Sequence, residues 1–318
     1  MKVVEHLERA EGPLISFEII PPLRGGNLAT LVRLIEDLAR FEPPFIDITS
    51  HAAQVSYEET PDGGLERRVK RKRPGTLGVC ALIQNKYHID AVPHVLCAGF
   101  TREETEDFLI ELKYLGIDNV LAIRGDDSGY QKPLKFGRSA NKYAVDLVEQ
   151  IAAMNAGTYV EEGLLDSEPS SFCVGVAGYP EKHFEAPNMA ADVRWAKAKI
   201  DAGAAYIVTQ MFFDNAHYFR YVDECRAAGI TAPIIPGVKI VTTKEHIRSL
   251  PRTFFCEIPT ALADAVEAAG SNREAAEVGV EWSVAQAQEL IDKGVPAIHF
   301  YVMANARAVS KVVKRLKL

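Results

Sequence analysis

The sequence predicts an α/β fold of the (β/α)8 TIM barrel type, with long loops at the C-terminal face of the strands. Three features lead there. Short β-rich runs alternate with amphipathic helical patterns along the chain. Several runs are nearly continuous apolar stretches, as parallel strands covered on both faces should be. Polar and charged residues gather where the runs end, which is where such barrels build their sites. The chain has 318 residues, and barrels of roughly 250 residues or more are routinely one domain. A single domain over 1–318 is therefore expected.

The strand runs are Leu14–Ile20, Phe45–Thr49, Leu77–Ile83, Asn119–Ile123, Phe172–Ala177, Tyr206–Thr209, Pro233–Gly237 and Ala297–Tyr301. Between them the helix ends are readable. Asn27 caps a helix with the stripe Leu28, Leu31, Leu34, Ile35 and Leu38. Thr101 and Glu104 form a capping box, and Gly116 stops that helix. Pro187 suits a first turn, with Gly203 at the other end. Asp214 caps a helix with the face Tyr218, Phe219, Val222 and Cys225, ending at Gly229. A doubly wound open sheet is the competing architecture; eight strands alternating with helices favour closure. Three stretches exceed plain connections: 54–74 and 127–139, read as long loops over the catalytic end, and 249–273 before the last long helix.

Composition limits the partners. Hydrophobic residues make up 47% and charged residues 25%, as in soluble globular proteins. A formal net charge of -7 disfavours nucleic acid and anionic membranes. The basic run Arg67 to Arg73 reads as a solvated loop or helix face. Cys80, Cys97, Cys173, Cys225 and Cys256 are odd in number and form no Cys-x-x-Cys pair, which fits a reducing cytoplasm and cytoplasmic localisation. Cys80 and Cys173 sit in apolar runs as small hydrophobes. The N-terminal MKVVEHLERAEG lacks the apolar core of a signal peptide. No stretch approaches the ~18 apolar residues of a membrane helix.

At the strand ends stand Glu18, then Thr49-Ser50-His51, His94, Arg124-Gly125-Asp126, Tyr179 with His183, and Thr209-Gln210. Glu18 lies inside an apolar strand. Burial makes a carboxylate hold its proton, as a general acid near neutral pH must. An equally open reading is a Glu paired with a basic neighbour inside the barrel. Gly125 lets backbone approach a ligand, Arg124 can neutralise a phosphate, and Asp126 can set a negative charge beside a polarisable ring; a plain turn with a local ion pair is the alternative. The sequence has no Gly-x-Gly-x-x-Gly, Walker loop, His-Glu-x-x-His or Gly-x-Ser-x-Gly. No metal site is expected, and any dinucleotide binds without a Rossmann domain.

Several segments, in order, resemble the methylenetetrahydrofolate reductase family: SFEIIPP, VLAIRGDD, GVAGYPEKHFEA, DAGAAYIVTQMFFD, PIIPGV and HFY at His299–Tyr301. The resemblance implies a barrel holding FAD, with NADH or NADPH as co-substrate. By ping-pong hydride transfer through the flavin, 5,10-methylenetetrahydrofolate becomes 5-methyltetrahydrofolate, feeding methionine synthesis. It further implies that Glu18 is the general acid, Asp126 the carboxylate near the flavin ring, and Gln210 the amide on the pterin. Thr49, His94, Ile123, Arg124, Gly125, Asp126, Tyr143, Ala144, Tyr179, His183, Asp192 and Lys199 fall at FAD contacts, Ile123 in place of a Leu. The expected partners are the folate and further copies of the chain.

The sequence departs from better-known bacterial members at Trp195 and Ala198, where an Asn and an Arg at the adenine or phosphate end of FAD are expected. His246 and Leu250 replace a Gln and a Phe that hold substrate or nicotinamide, and the 50–74 segment is longer and more charged. The donor preference therefore does not transfer. A non-catalytic or complex-bound flavin- or folate-binding homologue with another electron donor is the alternative function.

Overall fold

Side-chain alternation decides what each strand contributes. In the first strand, Leu14–Ile19, residues Ile15, Phe17 and Ile19 pack with helix residues such as Leu31, Leu34, Ile35 and Leu38. Leu14 belongs instead to an interior cluster with Phe45, Val92, Leu121, Tyr206, Val208, Ile235 and Ala297. Two apolar layers result, one inside the barrel and one between strands and helices. The computed structural model describes residues 1–125, 132–134 and 136–318.

The strands follow one another as parallel neighbours: Leu14–Ile19, Phe45–Ile48, Asp90–Leu96, Asn119–Ile123, Cys173–Gly178 and Tyr206–Thr209. The last strand, Ala297–Met303, pairs in parallel with the first, Leu14 opposite Ala297 and Glu18 opposite Tyr301. Between Tyr206–Thr209 and Ala297–Met303 stand two short segments, Ile234–Ile235 and Gly237–Val238, separated by Pro236. The first pairs with Tyr206–Thr209 and the second with Ala297–Met303. Read as one strand interrupted at a residue without an N–H, they close the ring: His299 N donates to Pro236 O at 3.0 Å and Gly237 N to Thr209 Oγ1 at 2.9 Å. The expected eight-stranded closure is observed among the described residues.

One expected strand is wrong. Leu77–Ile83 lies in a helix, Thr76–Leu82, that runs into a π turn at Ile83–Tyr87. Its buried residues Thr76, Val79, Cys80 and Ile83 recur at helical spacing. The true third strand, Asp90–Leu96, carries Pro93 opposite Ile48. Proline is uncommon in a central strand, and with Asp90 and His94 it breaks the apolar run. His94 consequently lies within the third strand, not after it.

Smaller corrections follow the same lines. The 54–74 stretch is an antiparallel hairpin, Gln54–Glu59 with Leu65–Lys70, rather than a loop. Its second strand is exposed throughout, so Arg67–Lys70 of the basic run are solvated on a strand, whereas Arg71 and Arg73 beyond it are partly buried and donate to His51 O at 2.9 Å and Pro21 O at 2.7 Å. Pro187 precedes the helix Met189–Asp201, whose N-cap is Asn188, accepting from Ala191 N at 2.9 Å. The 249–273 stretch folds largely into helices His246–Phe254 and Thr260–Ala268. The caps Asn27, Thr101 with Glu104, and Asp214 form as expected. All five cysteines are buried and free.

A helix that the sequence patterns do not reveal, Val3–Arg9, joins the interior layer from the end opposite the strand C-termini. Val3 is fully buried there. Its N–H donates to Asn119 Oδ1 at 2.8 Å, and Asn119 Nδ2 donates to Met1 O at 2.9 Å. Among the described residues, no helix is long and apolar enough to cross a membrane.

Candidate active site

Above the apolar floor the lumen turns polar. The residues that follow Leu14 and Phe45 in alternation are Ser16, Glu18 and Asp47, and from neighbouring strands come His94, His299 and Tyr301. Ser16, Glu18, Asp47, His94 and His299 are all buried. His94 Nε2 lies 3.4 Å from Glu18 Oε2 and 3.7 Å from Asp47 Oδ2. His299 Nδ1 lies 3.9 Å from Asp47 Oδ1 and shares a 2.9 Å hydrogen bond with Ser16 Oγ. Both Asp47 oxygens, His94 Nε2 and His299 Nε2 are buried without a hydrogen-bond partner among the described residues. An unsatisfied carboxylate in such a place is costly, so the proton is retained.

Burial pushes the Glu18 carboxyl up to about 7, against the opposing influence of His94; Asp47 adds to the rise and Lys239 lowers it. Asp47 is also pushed up to about 7 by burial, with His299 opposing. Both imidazoles move the other way, because burial disfavours their cations. Lys239 is lowered to about 8 by burial, with Glu18 opposing. Its ammonium donates to Tyr301 O at 2.9 Å, and Tyr301 OH donates to Thr209 O at 2.6 Å. The lumen thus holds a carboxyl poised to give a proton near neutrality, beside a mostly neutral imidazole.

A second group surrounds the fourth and fifth strand ends. Gly125 has φ +86, and a Cβ there would lie 3.4 Å from Ala98 Cβ. Arg124 Nη1 bonds Glu185 Oε2 at 2.5 Å and its guanidinium lies 5.9 Å from the Phe184 ring centroid. His183 packs edge-on to Tyr179 at 4.7 Å, and its N–H donates to Asp192 Oδ2 at 3.2 Å. Burial, then Arg124, depresses the His183 imidazole. Lys199 donates to Ala177 O; burial lowers it to about 8 while Asp192 opposes. Asp192 is raised by burial, with Lys199 opposing.

The structure therefore brings Glu18 and His94 together in the lumen, and Arg124, Tyr179, His183, Asp192 and Lys199 on one side of the mouth. Thr49 follows the second strand; its hydroxyl shares a 3.0 Å hydrogen bond with His51 Nε2. Ile123 ends the fourth. Tyr143 caps, and Ala144 begins, the helix Ala144–Asn155. Gln210 follows the sixth strand, its Oε1 accepting from Met211 N at 2.9 Å. Asp126, and residues 127–131 and 135 of the expected 127–139 loop, lie outside the described residues. Asp47, Lys239, His299 and Tyr301 were not among the expected site residues. Asp47 carries the same signal as Glu18, a carboxylate amid apolar strand residues in FIDI.

Fold and site together define an α/β barrel with titratable groups buried in its lumen. A family model described as methylenetetrahydrofolate reductase matches residues 2–317, and the chain belongs to that family. Methylenetetrahydrofolate reductase 1 of Schizosaccharomyces pombe is 30% identical, covering 98% of this chain and 47% of its own. The 5,10-methylenetetrahydrofolate reductase of Salmonella typhimurium is 30% identical, covering 95% of this chain and 90% of its own. The chain spans about half the length of several curated relatives, among them a probable NADH enzyme of Oryza sativa and a probable NADPH enzyme of Caenorhabditis elegans. In fold it resembles a solved Clostridium thermocellum protein, with a TM-score of 0.59, 12% identity and coverage of 98% of this chain and 96% of that one.

Proposed function

We propose that this chain reduces 5,10-methylenetetrahydrofolate to 5-methyltetrahydrofolate with electrons from NADH or NADPH, using FAD. The observation that carries the reading is Glu18: a buried carboxyl held near neutral pKa, in the lumen of a barrel belonging to this family. Opening the five-membered ring of the folate needs a proton on the departing nitrogen, and Glu18 supplies it as general acid. His94 lies beside it with Nε2 3.4 Å from Glu18 Oε2 and opposes the rise that burial causes. Gln210, at the end of the sixth strand, offers an amide that can both donate to and accept from a pterin edge.

The residues present fit a flavin dinucleotide. Among the described residues Arg124 pairs with the exposed carboxylate of Glu185, which a diphosphate oxygen can replace. Lys199 adds a second cation, and Gly125 leaves space where a side chain would stand. Thr49, His94, Ile123, Tyr143, Ala144, Tyr179, His183 and Asp192 complete the set. When bound, the flavin supplies hydride acceptance from the nicotinamide and hydride donation to the folate. Asp126, beside it in this reading, places negative charge near the ring. Next to Lys239, a cavity of about 810 Å³ is lined by His246, Arg273, Arg307 and Lys311. Glu277 also lines it and pairs with Lys311, so Lys239, Arg273 and Arg307 are the cations that suit the glutamate carboxylates a folate carries. The test is product formation: purified protein given FAD, the folate and each nicotinamide yields 5-methyltetrahydrofolate. No product with any of the donors, with FAD bound, refutes the reading.

A further inference from the structure

Tyr143 caps the helix Ala144–Asn155 and Trp195 stands on the next, Met189–Asp201, which packs beside it. Both are well exposed, at 42% and 57%. Their rings are nearly parallel, at 25°, with centroids 6.3 Å apart. That separation is at the wide end of the ~4.5–7 Å range for directly paired rings. A third planar ring between them needs about 7 Å, twice a ~3.5 Å carbon contact. A small rotation of the exposed Trp195 side chain is enough to admit one.

The slot is aimed at the Arg124 and His183 group. Asp192, Trp195 and Lys199 recur at three- and four-residue spacing on Met189–Asp201 and so share one side of that helix. Asp192 accepts from His183 N, and Lys199 and Arg124 both act on the His183 imidazole. A ligand neutralised by Arg124 and Lys199 would extend outward past Trp195. Beside Trp195 on that helix stands Ala198, whose small side chain leaves the indole face open.

We propose that Tyr143 and Trp195 form a stacking slot for the adenine ring of FAD, with Trp195 as the residue that makes this chain hold the dinucleotide in preference to the mononucleotide. Stacking on both faces replaces edge hydrogen bonds as the source of affinity at that end. The inference rests on the flavin reading above.

The test compares FAD with FMN, which has the same isoalloxazine and lacks the adenylate. The full chain is freed of flavin and titrated with each, in the parent, Trp195→Ala and Trp195→Phe. Single base–aromatic stacks are worth enough that Trp195→Ala should weaken FAD binding roughly tenfold to hundredfold. FMN binding stays unchanged, and Trp195→Phe stays within a few-fold of the parent. In a Trp282→Phe background, which leaves Trp195 the sole tryptophan, saturating FAD should quench indole emission more strongly than saturating FMN, the excess coming from adenine stacked on the indole. Unchanged FAD affinity in Trp195→Ala, or equal quenching by FAD and FMN, overturns the slot while leaving the flavin reading intact. A parent protein that binds neither FAD nor FMN overturns both.

Discussion

Replacing Glu18 by Gln removes the proton while keeping the side chain's shape. In an unperturbed setting the Glu18 carboxyl would titrate at 4.5, and burial moves it to about 7. At pH 7 the acid form is then about half the population rather than about 0.3%, a gain on the order of a hundredfold. General acid catalysis contributes about 10² to 10⁴ in rate. Glu18→Gln should therefore slow the folate half-reaction by that factor, and leave reduction of the flavin by NADH or NADPH near the parent rate. Since the protonated carboxyl is the working form, the parent's folate half-reaction holds below about pH 7 and falls about tenfold per pH unit above it. Anaerobic stopped-flow absorbance resolves the two half-reactions. Folate reduction by Glu18→Gln at the parent rate, with no limb near pH 7, would refute the role given to Glu18.

The neighbours of Glu18 should move that limb in opposite senses. Asp47→Asn removes a charge that raises Glu18 and shifts the limb to lower pH, whereas Lys239→Met removes one that lowers it and shifts the limb upward; pH–rate profiles of the two variants check both signs. Asp47 rises from 3.8 to about 7 on burial, so its contribution to stability is full below about pH 4 and is lost as pH rises through 7. Asp47→Asn should then gain a few kcal/mol over the parent at pH 8.5 relative to pH 4, measurable by denaturant titration; a pH-independent difference would contradict the buried, proton-retaining carboxyl. At the closing seam, a Cβ on Gly237 would sit 2.2 Å from Thr209 O. Gly237→Ala should cost several kcal/mol or prevent folding, while Gly294→Ala, with φ +77 and no atom within 4 Å, should cost about 1–2 kcal/mol. Equal midpoints for the two would refute the seam. Asp126→Asn should change the reduction potential of bound flavin, because a nearby negative charge disfavours the anionic reduced ring; an unchanged potential and folate rate would remove Asp126 from the site.

Much of the barrel was legible because parallel strands buried on both faces leave unbroken apolar runs, as at Asn119–Ile123 and Tyr206–Thr209. The third strand was hidden because Asp90, Pro93 and His94 interrupt its run while the neighbouring helix Thr76–Leu82 supplies a continuous one. Length did not separate them, since a seven-residue apolar stretch fits either state. The helix Val3–Arg9 was missed because its burial depends on partners far along the chain, Asn119 and Asp90. Glu18 was legible as a carboxylate amid apolar neighbours. Its setting was not: the proximity of His94, Asp47 and Lys239 depends on which strand ends meet across the lumen. Likewise Trp195 stood out only as a departure from a pattern, and its near-parallel partner Tyr143 comes from the packing of two helices.

The most direct measurement is an anaerobic titration followed by absorbance. The protein as purified, or supplied with FAD, should show a flavin spectrum that bleaches on adding NADH or NADPH. Adding 5,10-methylenetetrahydrofolate should restore the oxidised spectrum with one equivalent of 5-methyltetrahydrofolate formed. A protein that takes up no flavin, or a reduced flavin that the folate leaves bleached, would contradict the account.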